Sequence, residues 1–338
     1  MERLHPVDGK LAAEVAVPSL GSSAVVIPPL YCPFPSTSGR KDAAEIHAAS
    51  MAWAERQGLL ANAAERKFAD GNRIAWGLGL AHPHASAEAF QLLTDWLLHF
   101  CLFDTYVEEH LRGLALARVC TRFMDVLRGA ELVGGDMPFV RAIADIRQRL
   151  LKLADEELVS RFADTLERCF EVYLYEDSVA RLGVQPHVES HLELKTRTGG
   201  FYSWWVLMEV VEGVKLSPDT RELPLVRSTL HLAAEAAELA NDLFTLRREM
   251  DQGTTNNLVL RLDLPLPQAI ARVASLHDAT IASLVAHIEQ LSSLQRYQPH
   301  LEQWFLLVGR TLSAHMTWAQ KSQRALGWPA GPQQRSVA

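Results

Sequence analysis

The feature that most constrains the fold is the spacing of apolar residues, which recur every three or four positions from residue 43 to about residue 324. This period matches one face of an α-helix, and the stretch has few of the alternating or β-branched runs that favour strands. Short breaks interrupt the pattern at residues 81–86, 134–138, 181–185, 198–200, 215–219 and 263–267. The pattern therefore predicts an all-α fold, a single bundle of roughly ten helices.

Proline separates the two ends of the chain from the helical body. Residues 1–42 contain six prolines, too many for a long helix, so this stretch is predicted to be an extended arm. Residues 43–326 form the predicted single domain, and residues 327–338 are predicted to be a tail without regular structure. A chain of 338 residues, 48% of them hydrophobic, can bury one large core.

Charge and cysteine usage exclude several classes of partner. The formal net charge of −7 argues against a nucleic-acid backbone, which favours a basic surface. The four cysteines lack C-x-x-C spacing and are predicted to be reduced thiols. The N-terminus lacks the apolar core of a signal peptide, and no apolar run approaches the ~18 residues of a membrane span. We predict a cytoplasmic protein that engages neither nucleic acid nor a membrane.

One predicted helix carries carboxylates where its apolar face should continue. Ser86 is a candidate N-cap, and the apolar row that follows reaches Phe100 and then continues as Asp104 and Glu108. Burying ionised carboxylates without partners is costly. Metal cations, Arg or Lys partners, or emergence of the helix into water would each account for this row.

A second helix, in the segment AELANDLFTLRREMDQG, carries Asn241, Thr245 and Glu249 at four-residue spacing. Positions i, i+4 and i+8 of a helix drift only ~80° in total while rising ~12 Å, so the three side chains share one side. An amide oxygen, a hydroxyl and a carboxylate suit a hard divalent cation such as Mg²⁺. The alternative is a solvated last turn before a helix stop at Gly253.

Together these segments resemble the bacterial type of class I terpene synthases. The segment NDLFTLRRE is similar to the family's N-D-x-x-S/T-x-x-x-E metal motif, and LLHFCLFDTYVEE is similar to its aspartate-rich motif, usually D-D-x-x-D/E. IPPLYCPFP, AHPHASAEAF and WAQKSQRA resemble further segments of the family, so the resemblance runs from residue 27 to residue 324. It implies one α-helical domain around an apolar cavity, with the two motifs facing each other at the cavity mouth.

The resemblance also implies roles for individual residues. The implied metal ligands are Asp104, Glu108, Asn241, Thr245 and Glu249. The implied diphosphate-binding residues are Lys195, Arg197, Arg248 and Arg324. Thr198 and Gly199 fall in the helix break with which the family senses its substrate. Aromatic residues are candidates for the cavity wall, with Phe100 and Trp318 preferred over Phe201, Trp204, Trp205 and Trp304.

The chemistry that the resemblance implies is ionisation of an acyclic isoprenoid diphosphate, with farnesyl diphosphate as the expected substrate. Two or three Mg²⁺ ions are implied as cofactors, Mn²⁺ can substitute, and a homodimer is suggested by the resemblance alone. The products are diphosphate and a cyclic or linear terpene hydrocarbon or alcohol, and the diphosphate itself can accept the final proton. Metal and basic side chains would stabilise the departing diphosphate.

Three departures from the family pattern leave alternatives open. The second acid of the aspartate-rich motif is Thr105, the sensing arginine is displaced to Lys195, and the tyrosine that should follow Arg324 is Ala325. A non-catalytic isoprenoid-binding or helical interaction protein is therefore the main alternative. A chain-elongating prenyltransferase ranks lower, because that family uses two aspartate-rich motifs.

Overall fold

Helices dominate the computed structural model, which describes residues 10–11, 15–17, 25–184, 186–253, 256–294 and 300–322. The predicted all-α class is confirmed. Four short strands lie in the N-terminal stretch and form two antiparallel pairs, β1 (Lys10–Leu11) with β4 (Leu30–Tyr31) and β2 (Val15–Val17) with β3 (Val25–Ile27). The backbone amide of Tyr31 donates to Asp278 Oδ1 at 2.8 Å, so this stretch is tied to the helical body.

Fourteen helices follow in the described part of the chain. They are α1 (Ala43–Gln57), α2 (Ala63–Gly71), α3 (Ile74–Ala81), α4 (Ala87–His110), α5 (Gly113–Leu127), α6 (Pro138–Leu153), α7 (Glu156–Arg181), α8 (Val188–Thr198), α9 (Phe201–Glu212), α10 (Pro218–Arg221), α11 (Pro224–Gln252), α12 (Leu258–Arg261), α13 (Leu266–Ser292) and α14 (Leu301–Ala319). The excess over the predicted number comes partly from α10 and α12, which have four residues each.

The ends of the helices follow local sequence chemistry. Ser86 Oγ accepts a hydrogen bond from the Ala89 amide at 3.2 Å, which confirms Ser86 as the N-cap of α4. Gly253 ends α11 in the left-handed conformation, with a φ of 67°. The breaks at residues 58–62, 72–73, 111–112 and 154–155 are not among those that the sequence pattern predicted. At the second of these, Arg73 adopts a φ of 50°.

The core surrounds α4, which is buried on most of its faces. Trp96 on α4 is fully buried and packs edge-to-face against Phe162 of α7, with ring centroids 4.7 Å apart. Among the described residues, α13 is the one helix whose length and composition would allow it to cross a membrane. It packs along α11, and Ile281 and Leu284 are fully buried there, so it serves as a core helix of the bundle.

Candidate active site

A cavity of about 840 Å³ opens between the helices, and its lining divides into an apolar part and a polar part. The apolar part is lined mainly by Ile74, Leu78, Leu97, Phe100, Phe201, Trp204 and Trp318. The polar part includes Asp104, Glu108, Glu176, Asn241, Arg248, Glu249 and Arg261. Glu108 is exposed, so the polar part is the end at which the cavity meets solvent.

The carboxylates of α4 lie on the cavity, and the two have different surroundings. Asp104 is half-buried, and the hydroxyl of Tyr173 on α7 donates to its Oδ1 at 2.7 Å. Glu108, one turn later, reaches solvent. Thr105 does not line the cavity, and its hydroxyl donates to the Cys101 carbonyl at 3.0 Å. The phenol that holds Asp104 is not among the explanations that the sequence left open, whereas Glu108 reaches water as one of them expected.

On α11, Asn241 and Glu249 line the same cavity from another helix. Glu249 is buried and accepts hydrogen bonds from Asn257 Nδ2 at 2.8 Å and from Arg248 Nη2 at 3.0 Å. Thr245 is buried, is not among the lining residues, and donates its hydroxyl to the Asn241 carbonyl at 2.8 Å. The fold therefore brings Asp104, Asn241 and Glu249 to one cavity, with Thr245 behind them.

Lys195 lines the cavity, but its ammonium group is engaged by the protein. It forms an ion pair with Asp242 Oδ1 and donates to the Asn256 carbonyl at 3.0 Å. Asp242 Oδ2 accepts from the Leu258 amide at 2.8 Å. Burial favours the neutral amine, yet the nearby carboxylates, with Asp242 foremost, outweigh it and raise the pKa of Lys195. Lys195 therefore stays charged and ties α8 to α11 and to the start of α12.

The other predicted diphosphate-binding residues lie in different settings. Arg248 lines the cavity beside Glu249. Arg197 is exposed, pairs with Glu193 of its own helix at 3.1 Å and is not a lining residue. Arg324 lies outside the described residues. The structure adds a cation that sequence reasoning missed, Arg261 of α12, which lines the cavity.

The helix break between α8 and α9 contributes backbone to the cavity wall through Thr198, Gly199 and Gly200. Gly200 has a φ of 80°, and a Cβ there would lie 2.7 Å from Phe100 Cε1. A Cβ at Gly199 would overlap the carboxylate of Glu238 on α11. The two glycines therefore let the break approach both α4 and α11 more closely than larger residues allow.

The predicted wall aromatics divide into lining residues and core residues. Phe100, Phe201, Trp204 and Trp318 line the cavity. Gly77 makes room for the Trp318 ring, because a Cβ there would lie 2.5 Å from Trp318 Cδ1. Trp205 and Trp304 do not line it. Trp205 donates to Thr311 Oγ1 at 3.1 Å, and Trp304 is buried against Phe305, with ring centroids 5.3 Å apart.

Tyr173, Glu176 and Glu238 are among further polar lining residues that sequence reasoning missed. Burial, reinforced by the charge of Asp104, raises the pKa of Glu176 to about 7, and the cations of Lys195 and Arg261 oppose that rise. A signal did exist for Glu238, which precedes Asn241 by three residues and so shares its helix face. Nothing comparable marks Tyr173 or Glu176, which lie on an ordinary amphipathic helix.

The donor groups of the polar part fit a hard divalent cation. Among the described residues, no three His, Cys, Asp or Glu side chains converge on a point, so these groups do not build a closed metal cage. Mg²⁺ is usually held by one or two carboxylates together with water and substrate phosphates. Asp104 on α4 and Asn241 and Glu249 on α11 line one cavity, an arrangement open enough for such shared coordination.

A helical bundle with an apolar cavity and oxygen-bearing side chains at its open end is the architecture expected of a metal-dependent enzyme of the class I terpenoid synthase type. The sequence profile described as "Terpene synthase family 2, C-terminal metal binding" matches residues 95–283, more than half of the chain. This chain belongs to the terpene synthase family. It is a bacterial-type class I terpene synthase, with a divalent metal as cofactor and an isoprenoid diphosphate as substrate.

Individual relatives agree with this placement. The chain is 30% identical to the (-)-beta-caryophyllene synthase of Saccharothrix espanaensis, a farnesyl diphosphate-cyclizing enzyme, over 75% of this chain and 73% of that protein. It is 25% identical to the germacrene A synthase of Nostoc punctiforme over 89% and 95%, respectively. The crystal structure of the linalool/nerolidol synthase from Streptomyces clavuligerus with 2-fluorogeranyl diphosphate superposes with a TM-score of 0.76 at 21% identity, covering 86% and 98%. That structure shares the fold.

Proposed function

We propose that this terpene synthase uses Mg²⁺ to ionise farnesyl diphosphate, releasing diphosphate and a cyclic or linear terpene hydrocarbon or alcohol. The observation that carries the proposal is the single cavity in which the segments of α4 and α11 meet above an aromatic wall. Its volume of about 840 Å³ lies within the range of ~300–1,000 Å³ that is typical of small-molecule sites. Relatives named as farnesyl diphosphate-cyclizing enzymes support the fifteen-carbon substrate.

Asp104, Asn241 and Glu249 would hold the metal from the cavity wall, with Thr245 behind Asn241 and with Glu108 at the solvent side. Two or three Mg²⁺ ions are proposed, for which Mn²⁺ can substitute. When bound, they supply Lewis-acid stabilisation of the departing diphosphate. Asn257 and Arg248 fix the orientation of the Glu249 carboxylate through their hydrogen bonds, so this ligand is held in place before substrate arrives.

Positive side chains would bind the diphosphate beside those ligands. Arg248 and Arg261 line the cavity, and a guanidinium can engage two phosphate oxygens at once. Arg324 is proposed from the sequence resemblance. Lys195 adds its charge from the wall, and Asp242 shares that charge just as Glu249 shares the charge of Arg248, so both cations would act on the diphosphate from within ion pairs. Arg197 would have to leave Glu193 before it could reach the site.

The apolar part would hold the hydrocarbon chain and protect the carbocation from water. Phe100, Phe201 and Trp318 line the cavity, and a dry cation–π contact with such a ring stabilises by about 2 kcal/mol. The break at Thr198 and Gly199 adjoins both parts of the cavity, which suits a role in sensing the substrate. We also propose a cytoplasmic location and a homodimer, both supported by resemblance to the bacterial relatives.

The proposal is tested by supplying the purified protein with geranyl, farnesyl and geranylgeranyl diphosphates, with Mg²⁺ or with a chelator, and analysing extracts by gas chromatography and mass spectrometry. A terpene formed from farnesyl diphosphate only when Mg²⁺ is present is the expected result. Preference for another chain length would overturn the choice of substrate. Tight diphosphate binding with no product from any of the three would favour a non-catalytic binding protein.

A further inference from the structure

Glu238 places a carboxylate in the wall of the cavity, and no step proposed above uses it. Its side chain is 2% exposed and belongs to the lining. It lies one helical turn before Asn241 and packs against the α-carbon of Gly199. Gly200 and Phe201 follow directly and belong to the same lining, with the Phe100 ring against Gly200. Glu238 therefore lies beside the apolar part of the cavity.

The local charge balance leaves this region negative. The charges of Glu238, Asp242 and Glu249 all act on Lys195, and Arg248 pairs with Glu249, so three carboxylates are offset by two cations. Asp242 holds that ammonium in a direct ion pair. A cation that forms in the apolar part would consequently be attracted toward Glu238, and this attraction is stronger at low effective dielectric than in water.

His315 is another lining residue that could accept a proton. Its ring lies between Phe201, with centroids 5.0 Å apart, and Trp318, at 6.0 Å. An imidazole carries no negative charge in either protonation state, so its net charge cannot attract a carbocation, whereas that of an ionised carboxylate can. The charge argument therefore favours Glu238.

We infer that Glu238 accepts the proton that leaves the final intermediate of the reaction. In a hydrocarbon-forming step, the C–H bond next to the cationic carbon breaks, its electron pair becomes the new C=C bond, and the proton passes to a Glu238 carboxylate oxygen. In an alcohol-forming step, the proton comes instead from a water molecule that has added to the cationic carbon. The inference rests on the proposed function. Glu238, rather than the diphosphate, is then the proton acceptor.

The test compares the wild-type protein with Glu238→Gln, measuring diphosphate release and terpene products in the same reactions with farnesyl diphosphate and Mg²⁺. Glu238→Gln should still release diphosphate. The yield of the principal wild-type product per diphosphate should fall at least about tenfold, since general bases commonly contribute ~10²–10⁴-fold. Glu235→Gln is the matched control on the same helix, because Glu235 accepts from Thr280 and does not line the cavity. It should keep the wild-type products.

Two further variants keep the test decisive if Glu238→Gln folds poorly. Glu238→Asp keeps a carboxylate but shortens its reach. Its yield of the principal product per diphosphate should therefore lie between the yields of the wild type and of Glu238→Gln. Gly199→Ala leaves the carboxylate intact but displaces it, and its φ of −71° lets alanine fit the backbone. It should also change the product ratio.

An unchanged product ratio in these variants would overturn the inference, as would a uniform loss of diphosphate release and products, which would place Glu238 in ionisation. Loss of the principal product in His315→Leu, with normal products from Glu238→Gln, would assign the proton to His315 instead. If the wild-type protein released no diphosphate, the proposed function would fail and the inference would fail with it.

Discussion

At the scale of single residues, the proposed metal ligand Asp104 is held by a phenol from another helix. Tyr173 of α7 is buried and donates to Asp104 Oδ1 at 2.7 Å. Burial and the neighbouring carboxylate raise the pKa of Tyr173, so the hydroxyl keeps its proton and remains a donor. One oxygen of Asp104 is thereby fixed, which orients the other.

Replacing Tyr173 with phenylalanine should therefore weaken metal use more than folding. Outer-shell partners of metal ligands commonly contribute ~10–100-fold in metal affinity, so Tyr173→Phe should raise the Mg²⁺ concentration for half-maximal diphosphate release about tenfold or more. Titration of Mg²⁺ in the diphosphate-release assay measures this, and isothermal calorimetry of Mg²⁺ with inorganic diphosphate provides a readout independent of turnover.

Tyr175→Phe is the matched control, since Tyr175 lies on the same helix but is exposed. The Mg²⁺ concentration for half-maximal diphosphate release by Tyr175→Phe should equal that of the wild type. Identical Mg²⁺ curves for Tyr173→Phe and the wild type would show that Asp104 needs no support from the phenol.

At the scale of helices, Lys195 and Asp242 tie α8 to α11. Both side chains are buried. The backbone amide of Leu258, at the start of α12, donates a hydrogen bond to the second carboxylate oxygen of Asp242. Removing one member of a buried pair leaves an uncompensated charge, whereas replacing both can be nearly neutral.

Lys195→Met should accordingly lower the free energy of unfolding by about 3–5 kcal/mol, measured by urea denaturation. The double variant Lys195→Met with Asp242→Leu should recover part of that loss. If Lys195→Met kept wild-type stability while the KM for farnesyl diphosphate rose sharply, Lys195 would be a substrate ligand and its pairing with Asp242 would be secondary.

Helical spacing explains what the sequence could predict and what it could not. The positions of Asn241, Thr245 and Glu249 follow from one helix, so their common side was predictable from the four-residue period. Tyr173 and Asp104 are 69 residues apart, and Lys195 and Asp242 are 47 apart. Such pairs depend on how helices pack against one another, which apolar periodicity does not specify.

Composition and spacing also could not separate wall residues from core residues among the aromatics. Trp318 and Trp304 lie on the same helix, yet Trp318 lines the cavity and Trp304 is buried outside the lining. The difference depends on the neighbouring helix, because Gly77 of α3 opens the space beside Trp318. The predicted helix breaks were more reliable, since proline, glycine and capping residues act locally.

At the scale of the whole molecule, buried neutral histidines should make folding sensitive to acid. His99 is fully buried among aromatic rings, and its Nε2 donates to the Phe139 carbonyl at 3.0 Å. Burial lowers the pKa of His99 from 6.5 to about 4, although that hydrogen bond opposes the shift. Between these values the unfolded chain binds a proton that the folded protein does not, so stability falls as the pH decreases.

The contribution of His99 to the free energy of unfolding is fully present above pH 6.5. About 3 kcal/mol of that free energy should be lost as the pH falls from 6.5 to 4. Urea denaturation between pH 7 and pH 4 should show a shallower decline for His99→Gln than for the wild type. His187→Gln, at an exposed position, is the control and should follow the wild type. Parallel curves for His99→Gln and the wild type would contradict the assignment.

The most direct test of the whole account measures diphosphate release from farnesyl diphosphate by the wild type, Glu249→Gln and Asp251→Asn, each with Mg²⁺ and with a chelator. Asp251 lies on the same helix but is exposed and does not line the cavity. The account predicts Mg²⁺-dependent release by the wild type and Asp251→Asn, and a loss of at least about 100-fold in Glu249→Gln, as for other groups that stabilise developing charge. Release that survives the chelator, or that is unchanged in Glu249→Gln, would contradict a metal site shared between α4 and α11.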